Sequence, residues 1–136
     1  MSARILIIDD NPADIHLLRR ALLTQGTFHI DTAQDGQEAL EFVEHMRRRG
    51  LEPVPCVIVL DLHIPKYDGI EVLRAIRQDS ELSHVEVVVL TGGASAHERA
   101  QIDFLGARFQ TKPCRLSDFE ELAADLAAIC SGLQVA

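Results

Sequence analysis

Unbroken apolar runs alternate along this chain with stretches whose apolar residues recur every three or four positions. The run Cys56-Val57-Ile58-Val59-Leu60 has the length and β-branched content of a strand covered on both faces, and it ends abruptly in Asp61. Arg4-Ile5-Leu6-Ile7-Ile8 behaves the same way and ends in Asp9-Asp10. The pattern predicts strands at about 4–9, 28–33, 56–61, 85–90 and 108–111. Between and after them it predicts helices at about 12–25, 36–49, 69–78, 96–105 and 118–131. The expected packing faces are Ile15, Leu18 and Leu22 in the first helix and Ile70, Leu73 and Ile76 in the third. Phe119, Leu122, Leu126 and Ile129 form the corresponding face of the fifth. In the second helix the face is read as Leu40, Val43 and the stem of Arg47, flanked by Ala39, Phe42 and Met46. The fourth is weakly amphipathic: Ala100 and Phe104 share a face, while Gln101 and Asp103 interrupt the rest. Looser packing and easier movement are expected there.

Helix punctuation supports these boundaries. Asn11-Pro12 supplies a cap followed by proline at the first helical position. Ser95 with Glu98, and Ser117 with Glu120, have capping-box spacing, as do Asp35 with Glu38 and Asp68 with Glu71. Gly26, Gly50, Gly106 and Gly132 stand where helices should stop. Five successive strand–helix units without linker or repeat give one α/β domain over residues 1–136, with a core at about 3–131. The expected architecture is a doubly wound parallel sheet with helices on both faces.

Composition narrows the function classes. A formal charge of −8 argues against non-specific nucleic-acid binding, which needs a positive footprint. The basic run Arg47-Arg48-Arg49 falls at a helix end, where the macrodipole favours it. No signal-peptide pattern precedes the first strand, and no segment approaches a membrane span. A cytoplasmic location is expected. Cys56, Cys114 and Cys130 form no CxxC pair and suit a reducing compartment, with cysteine acting as a small core residue. Cys114, next to Lys112-Pro113, is expected to be partly exposed. The histidines show no zinc-binding spacing.

The chemistry lies at the carboxyl ends of the strands, where ligands bind in open α/β sheets. Asp9-Asp10 follow the first strand, Asp61 ends the third, Thr91 ends the fourth and Lys112-Pro113 follow the fifth. Three carboxylates at one sheet edge repel each other unless a cation or a proton offsets them. An all-oxygen set on loops suits Mg²⁺, beside which Asp61 can remain ionised and act as a nucleophile toward phosphorus. Positive charge from Lys112 and a hydrogen bond from Thr91 would neutralise equatorial phosphoryl oxygens. Singly, each residue has a plainer reading: Asp10 as a helix cap, Thr91 as a turn residue, Lys112 as a solvated charge. Their joint placement at successive strand ends makes the plainer readings improbable together.

These residues resemble the receiver domain of two-component response regulators. The matching pieces are Ile7-Ile8-Asp9-Asp10-Asn11, Val59-Leu60-Asp61-Leu62-His63-Ile64-Pro65, Asp68-Gly69, Val88-Val89-Leu90-Thr91 and Lys112-Pro113. The resemblance spans nearly the whole chain and implies a flavodoxin-like fold with strand order 2-1-3-4-5. It implies that Asp61 accepts phosphate from a phosphohistidine on a sensor histidine kinase. It also implies Mg²⁺ held by Asp10 and Asp61, by Asp9 mainly through water, and by the main-chain carbonyl of His63; Mn²⁺ or Ca²⁺ can substitute. Thr91 and Phe109 would be the switch residues, although Phe109 lacks the hydroxyl of the commoner tyrosine. His63 and Gly93 stand where side chains affect phosphoryl lifetime in this family. The segment from Asp61 to Gly69 is similar to stand-alone receivers, some encoded with phytochrome-like kinases. No output domain is expected, so signalling would proceed by contact with a downstream protein or by phosphorelay. Homodimerisation through the fourth helix, fifth strand and fifth helix is a further expectation, with Leu116 and Leu133 extending the apolar face.

Two other classes compete. A phosphatase of the haloacid-dehalogenase type would want a second aspartate where His63 stands, and a cap domain. A receiver-like dimeric scaffold acting without phosphorylation is the other alternative, against which the complete acid, threonine and lysine set argues.

Overall fold

The computed structural model describes residues 3–49 and 54–132. Its elements alternate strictly: β1 Ala3–Ile8, α1 Pro12–Gln25, β2 Phe28–Ala33, α2 Gly36–Arg49, β3 Pro55–Asp61, α3 Gly69–Gln78, β4 Glu86–Thr91, α4 Ala96–Phe104, β5 Arg108–Thr111 and α5 Leu116–Ser131. The five strands are all parallel, in the order β2-β1-β3-β4-β5. The flavodoxin-like expectation therefore holds, including the reversal of strand order beside β1 that opens a crevice for ligands.

Strand alternation sorts the core into two layers. Leu6, Ile8, Ile58, Leu60, Val87 and Val89 face α2, α3 and α4, where they meet Val43, Met46, Leu73, Ile76 and Ile102. Ile5, Ile7, Val57, Val59, Val88 and Leu90 face the other side and pack on α1 and α5 through Leu18, Leu22, Phe119, Leu122 and Leu126. Each fully buried aliphatic side chain of this kind contributes about 1.5–3 kcal/mol of transfer free energy. Burial on both faces explains why β1, β3 and β4 read as continuous apolar runs rather than alternating ones.

Three helix readings change in detail. In α2 the buried stripe is Ala39, Val43 and Met46, with Leu40 only half-buried. The Arg47 side chain lies outside the described residues, as do Gly50 and Leu133. In α4 Ile102 is the buried anchor, while Ala100 and Phe104 are exposed, Phe104 almost fully at 89%. An apolar residue flanked by Gln101 and Asp103 carries no periodic signal, so the sequence pattern does not mark it as the anchor. Helix α5 starts at Leu116, before the Ser117 cap expected from sequence. Asp118 supplies the N-terminal acceptor instead, taking N–H bonds from Arg115 at 3.1 Å and Cys114 at 3.3 Å.

The other cap residues accept helix N–H bonds, but Asp68 and Glu71 make no reciprocal box among the described residues, and Glu38 turns to the Gln34 N–H at 3.3 Å instead. Asn11 Oδ1 accepts from the Ala13 N–H and Asp68 Oδ1 from the Ile70 N–H. Asp35 Oδ1 accepts from the Glu38 N–H, and Ser95 and Glu98 make the reciprocal capping box. Arg77, partly buried at the end of α3, donates to the carbonyls of Leu105, Val85, Ser83 and Gly106. One guanidinium thus ties the end of α3 to the turn after α4.

The cysteine expectation is corrected. Cys56, near the start of β3, and Cys130, near the end of α5, are joined as a disulfide, with Cα atoms 5.2 Å apart across 74 residues. Their separation in sequence hid the pair; antiparallel packing of α5 against β3 brings the end of the helix to the start of the strand. Cys114 carries the free thiol and is exposed.

Candidate functional site

The carboxyl edge of the sheet is assembled by its own hydrogen-bond ladder, which runs past the strand ends. The Asp9 N–H donates to Ala33 O at 3.0 Å, the Leu62 N–H to Leu90 O at 3.0 Å, and the Lys112 N–H to Thr91 O at 3.1 Å. Each position that carries or adjoins the chemistry is therefore fixed by its neighbouring strand. Side-chain precision here comes from backbone order rather than from the loops.

Asp9 and Asp61 are buried, each about 5% exposed, and Asp10 is exposed. One carboxylate oxygen of each of Asp9, Asp10 and Asp61 lies within 4.8 Å of the others. All donors are oxygens, one face of the cluster is open to solvent, and the sites are few. That set fits a hard divalent cation such as Mg²⁺, which keeps several waters and needs few protein ligands.

Lys112 closes the other side. Its Nζ is 2.9 Å from Asp61 Oδ2 and 3.4 Å from oxygens of both Asp9 and Asp14. Burial alone would lower the ammonium pKa. The Asp61 hydrogen bond and charge, then Asp9 and Asp14, outweigh it and hold the group above the usual lysine value. Asp9 is pushed above the usual aspartate value, chiefly by burial. The Asn11 N–H, 2.9 Å from Asp9 Oδ1, and the Lys112 charge oppose that shift, while Asp61 and Asp14 add to it.

Thr91 is buried at the end of β4, and its hydroxyl donates to Gly93 O at 2.7 Å while accepting the Gly93 N–H at 3.0 Å. The hydroxyl is occupied within its own loop. Neither Gly92 nor Gly93 would meet another atom within 4 Å if it carried a Cβ, so this side of the site is open. The His63 N–H donates to Asp61 Oδ1 at 3.2 Å. Its ring leans toward α4, with Nε2 3.6 Å from Glu98 Oε2. Asp10, Leu62, His63, Ile64, Pro65, Asp68 and Glu98 line an open cleft of about 420 Å³ beside the carboxylates.

The loop between β3 and α3 is set by two close approaches. Gly69 N–H donates to Leu62 O at 3.1 Å, and a Cβ at Gly69 would stand 2.4 Å from that carbonyl. Gly36 N–H donates to Pro65 O, and Lys66 takes a left-handed conformation at φ 72° with its ammonium 3.3 Å from Asp35. Phe109 is half-buried on β5, with the Arg99 guanidinium 4.6 Å from its ring centroid.

Asp9, Asp10, Asp61, Thr91 and Lys112 are thus gathered at one edge, with His63 at its rim and Phe109 on the neighbouring edge strand. Asp14 and Glu98 make contacts at the site that the sequence pattern does not mark. Asp14 is in the first turn of α1, where an acid reads as a dipole partner; Glu98 reads as a capping residue. Only the three-dimensional fold shows their second contacts.

Comparison with known proteins places this arrangement. Residues 5–124 match the family model described as the response regulator receiver domain. The chain is 36% identical over 130 residues to the response regulator MprA of Mycobacterium sp. (strain KMS), covering 95% of this chain and 51% of that protein. It is 38% identical over 114 residues to the response regulator PleD of Caulobacter vibrioides (strain NA1000 / CB15N), covering 83% of this chain and 23% of that protein. The chain therefore spans about half the length of the first of these relatives and about a quarter of the second. Among solved structures, the phosphorylated cyanobacterial phytochrome response regulator RcpA superposes with a TM-score of 0.84 at 27% identity, covering 99% of this chain and 98% of that one. The Mn²⁺-bound response regulator Rcp1 superposes at 0.79 with 30% identity, covering 93% and 92%. Five parallel strands in this order, an acidic triad at their carboxyl edge and a family match over most of the chain lead to one assignment: the chain belongs to the receiver-domain family of two-component response regulators.

Proposed function

We propose that Asp61 is the phospho-acceptor of a signalling switch, taking a phosphoryl group from a phosphohistidine of a sensor histidine kinase. The observation that carries this reading is Lys112 Nζ at 2.9 Å from Asp61 Oδ2, within a cluster of three carboxylates and beside Thr91. An Asp61 carboxylate oxygen attacks phosphorus as the P–N bond breaks, and the imidazole nitrogen leaves with the bonding pair. Lys112 is already paired with Asp61 and is placed to follow the new charge onto the phosphoryl oxygens. The Thr91 hydroxyl leaves Gly93 and donates to another of those oxygens, drawing the β4–α4 loop inward.

Asp9, Asp10 and Asp61, with the His63 main-chain carbonyl, are the groups that would hold Mg²⁺. The metal supplies charge neutralisation at the phosphoryl group. No helix among the described residues is long and apolar enough to cross a membrane, in keeping with a cytoplasmic switch. The likeness to phytochrome response regulators supports a phytochrome-like kinase as the donor. Output runs through a downstream protein, a second copy of this chain at the α4, β5 and α5 surface, or phosphorelay. Phe109 contributes to that output by leaving the Arg99 guanidinium when the ring turns inward.

Incubation with Mg²⁺ and acetyl phosphate or phosphoramidate, followed by intact mass, tests the proposal. Wild type gains one phosphate that hydroxylamine removes, and Asp61→Asn gains none. Absence of any adduct would favour the phosphorylation-independent scaffold. Sustained turnover of phosphomonoesters would favour a phosphatase.

A further inference from the structure

Cys56 and Cys130 stand apart from the phosphoryl chemistry. Cys56 lies near the start of β3, at the edge of the sheet opposite Asp61, and Cys130 lies in the last turn of α5. Their Cα spacing of 5.2 Å is within the range a disulfide spans without backbone movement. Both residues are half-buried, packed against the core layer beneath α1 and α5 rather than enclosed in it.

What the bond holds follows from the burial along α5. Phe119, Leu122, Ala123 and Leu126 are buried, and none of the described residues after Leu126, up to Gly132, is. The Ser131 hydroxyl bonds only backward, to Ala128 O. The last turn is therefore anchored by the sulfur bridge, with partial help from Ile129, more than by core burial. That turn borders a groove of about 270 Å³ between α5 and the strands β4 and β5, lined by Val88, Arg108, Gln110, Leu122, Asp125 and Ile129 among others. The pair thus controls one wall of a surface, not the interior of the domain.

We propose that Cys56 and Cys130 form a reversible thiol–disulfide exchange site, with a low-molecular-weight disulfide of the glutathione class as oxidant, that locks or releases the end of α5. A thiolate of the pair attacks the small disulfide, forming a mixed disulfide and expelling one small thiolate. The second cysteine, as thiolate, attacks the protein sulfur of that mixed disulfide, closes the bridge and expels the second small thiolate. The two protein thiols are oxidised and the small disulfide is reduced to two thiols, which take up the two protons. Excess small thiol reverses both steps. The exchange site stands on its own geometry; only its effect on signalling output rests on the switch proposed above.

The test uses the full chain carrying Cys114→Ser, so that the exposed third thiol does not react. Protein equilibrated in oxidised or reduced glutathione is quenched, denatured, alkylated and weighed, and the folded forms are compared by amide hydrogen exchange. The oxidised form should weigh two hydrogens less and take no alkyl group; reduction should restore two alkylatable thiols. Amides from Leu126 to Ser131 should exchange about tenfold faster in the reduced form, and Cys130→Ser should show the fast exchange in either buffer. Two alkylated cysteines after oxidised glutathione, a glutathione adduct that does not close, or identical exchange in the two forms would overturn the proposal. None of these readouts involves phosphate, so failure of phospho-acceptance at Asp61 leaves the result interpretable.

Discussion

Lys112 Nζ is held 2.9 Å from Asp61 Oδ2, across 51 residues of sequence and the full width of β4. The strand order makes this possible: β5 lies beyond β4, and the lysine reaches back over the Thr91 position to the end of β3. The ammonium offsets part of the carboxylate repulsion in the free chain. In the proposed reaction the same ammonium shifts its pairing to the phosphoryl oxygens, so one group serves stability first and chemistry second.

Removing that charge should therefore have two opposite effects. Lys112→Ala should lower the rate of phosphorylation by acetyl phosphate about a hundredfold, the size of effect seen when one stabilising donor is lost from a reacting centre. It should also tighten Mg²⁺ binding, by about tenfold, because a competing cation leaves the acidic cluster. Mass-resolved kinetics and a metal titration separate the two. Because the folded ammonium pKa is raised, its stabilisation is complete below the ordinary lysine pKa and is lost only as pH rises through the higher folded value. Phosphorylation should accordingly lose no Lys112 contribution between about pH 7 and about pH 9.

Asp9 works in the other direction. Its folded pKa lies above the usual 3.8, chiefly through burial, so the folded state holds the proton more tightly than the unfolded state. The metal-free chain thus loses stability as pH rises from 3.8 through the folded value, and that cost persists at neutral pH. Asp9→Asn keeps an acceptor oxygen for the Asn11 N–H while removing the charge. Its melting midpoint without metal at neutral pH should rise by roughly 3 °C, and its gain on adding Mg²⁺ should shrink. A lower midpoint would mean that the Lys112 contact outweighs burial.

The strands and most helices were legible because burial on both faces writes itself as unbroken apolar runs, and the caps mark the turns. The candidate site was legible as a cluster at one sheet edge because β1, β3, β4 and β5 each end in, or are followed at once by, a polar group with no packing role. Three things were not. Cys56 and Cys130 are 74 residues apart, and nothing local marks the pairing. Ile102 anchors α4 from between polar neighbours, so periodicity pointed to Ala100 and Phe104 instead. Glu98 satisfies its local capping role completely, which hides its reach to His63.

Gly69 should tolerate no side chain. Its φ does not require glycine; the space does, since a Cβ would stand 2.4 Å from Leu62 O and 2.8 Å from Leu62 Cα. Both neighbours are backbone held to the sheet by the Leu62 N–H bond to Leu90, so neither can yield cheaply. Gly69→Ala should destabilise the chain by about 2 kcal/mol or more in denaturant unfolding. It should also slow phosphorylation, because the displaced loop carries His63 and adjoins Asp61.

Thr91→Val should separate acceptance of phosphate from its consequences. The buried hydroxyl bonds only Gly93 in the unphosphorylated chain, so losing it should cost about 1 kcal/mol. Phosphorylation at Asp61 should continue, because the hydroxyl does not touch that carboxylate. The change in hydrogen exchange over α4 and β5 that accompanies phosphorylation should be lost in Thr91→Val and retained in Thr91→Ser. Equal exchange changes in both variants would remove Thr91 from the coupling.

Glu98 divides its two oxygens between two tasks, and a conservative substitution can separate them. Oε1 accepts the Ser95 N–H at 2.9 Å in the capping box, and Oε2 lies 3.6 Å from His63 Nε2. Glutamine serves in a capping box as glutamate does, so Glu98→Gln should leave the melting midpoint nearly unchanged, while Glu98→Ala should cost about 1 kcal/mol. The imidazole loses its charged partner in either variant. Gly92 and Gly93 place no side chain over the open side of the site, so under the proposed function the His63 ring held by Glu98 would be the side chain that limits water at the phosphoryl group. Glu98→Gln and His63→Ala should each shorten the phosphoryl lifetime on Asp61 by about threefold, the scale of one exposed polar contact. The double variant should shorten it no further, because both substitutions undo the same contact. Independent, multiplying effects, or a longer lifetime in either single variant, would show that His63 is positioned by something other than Glu98.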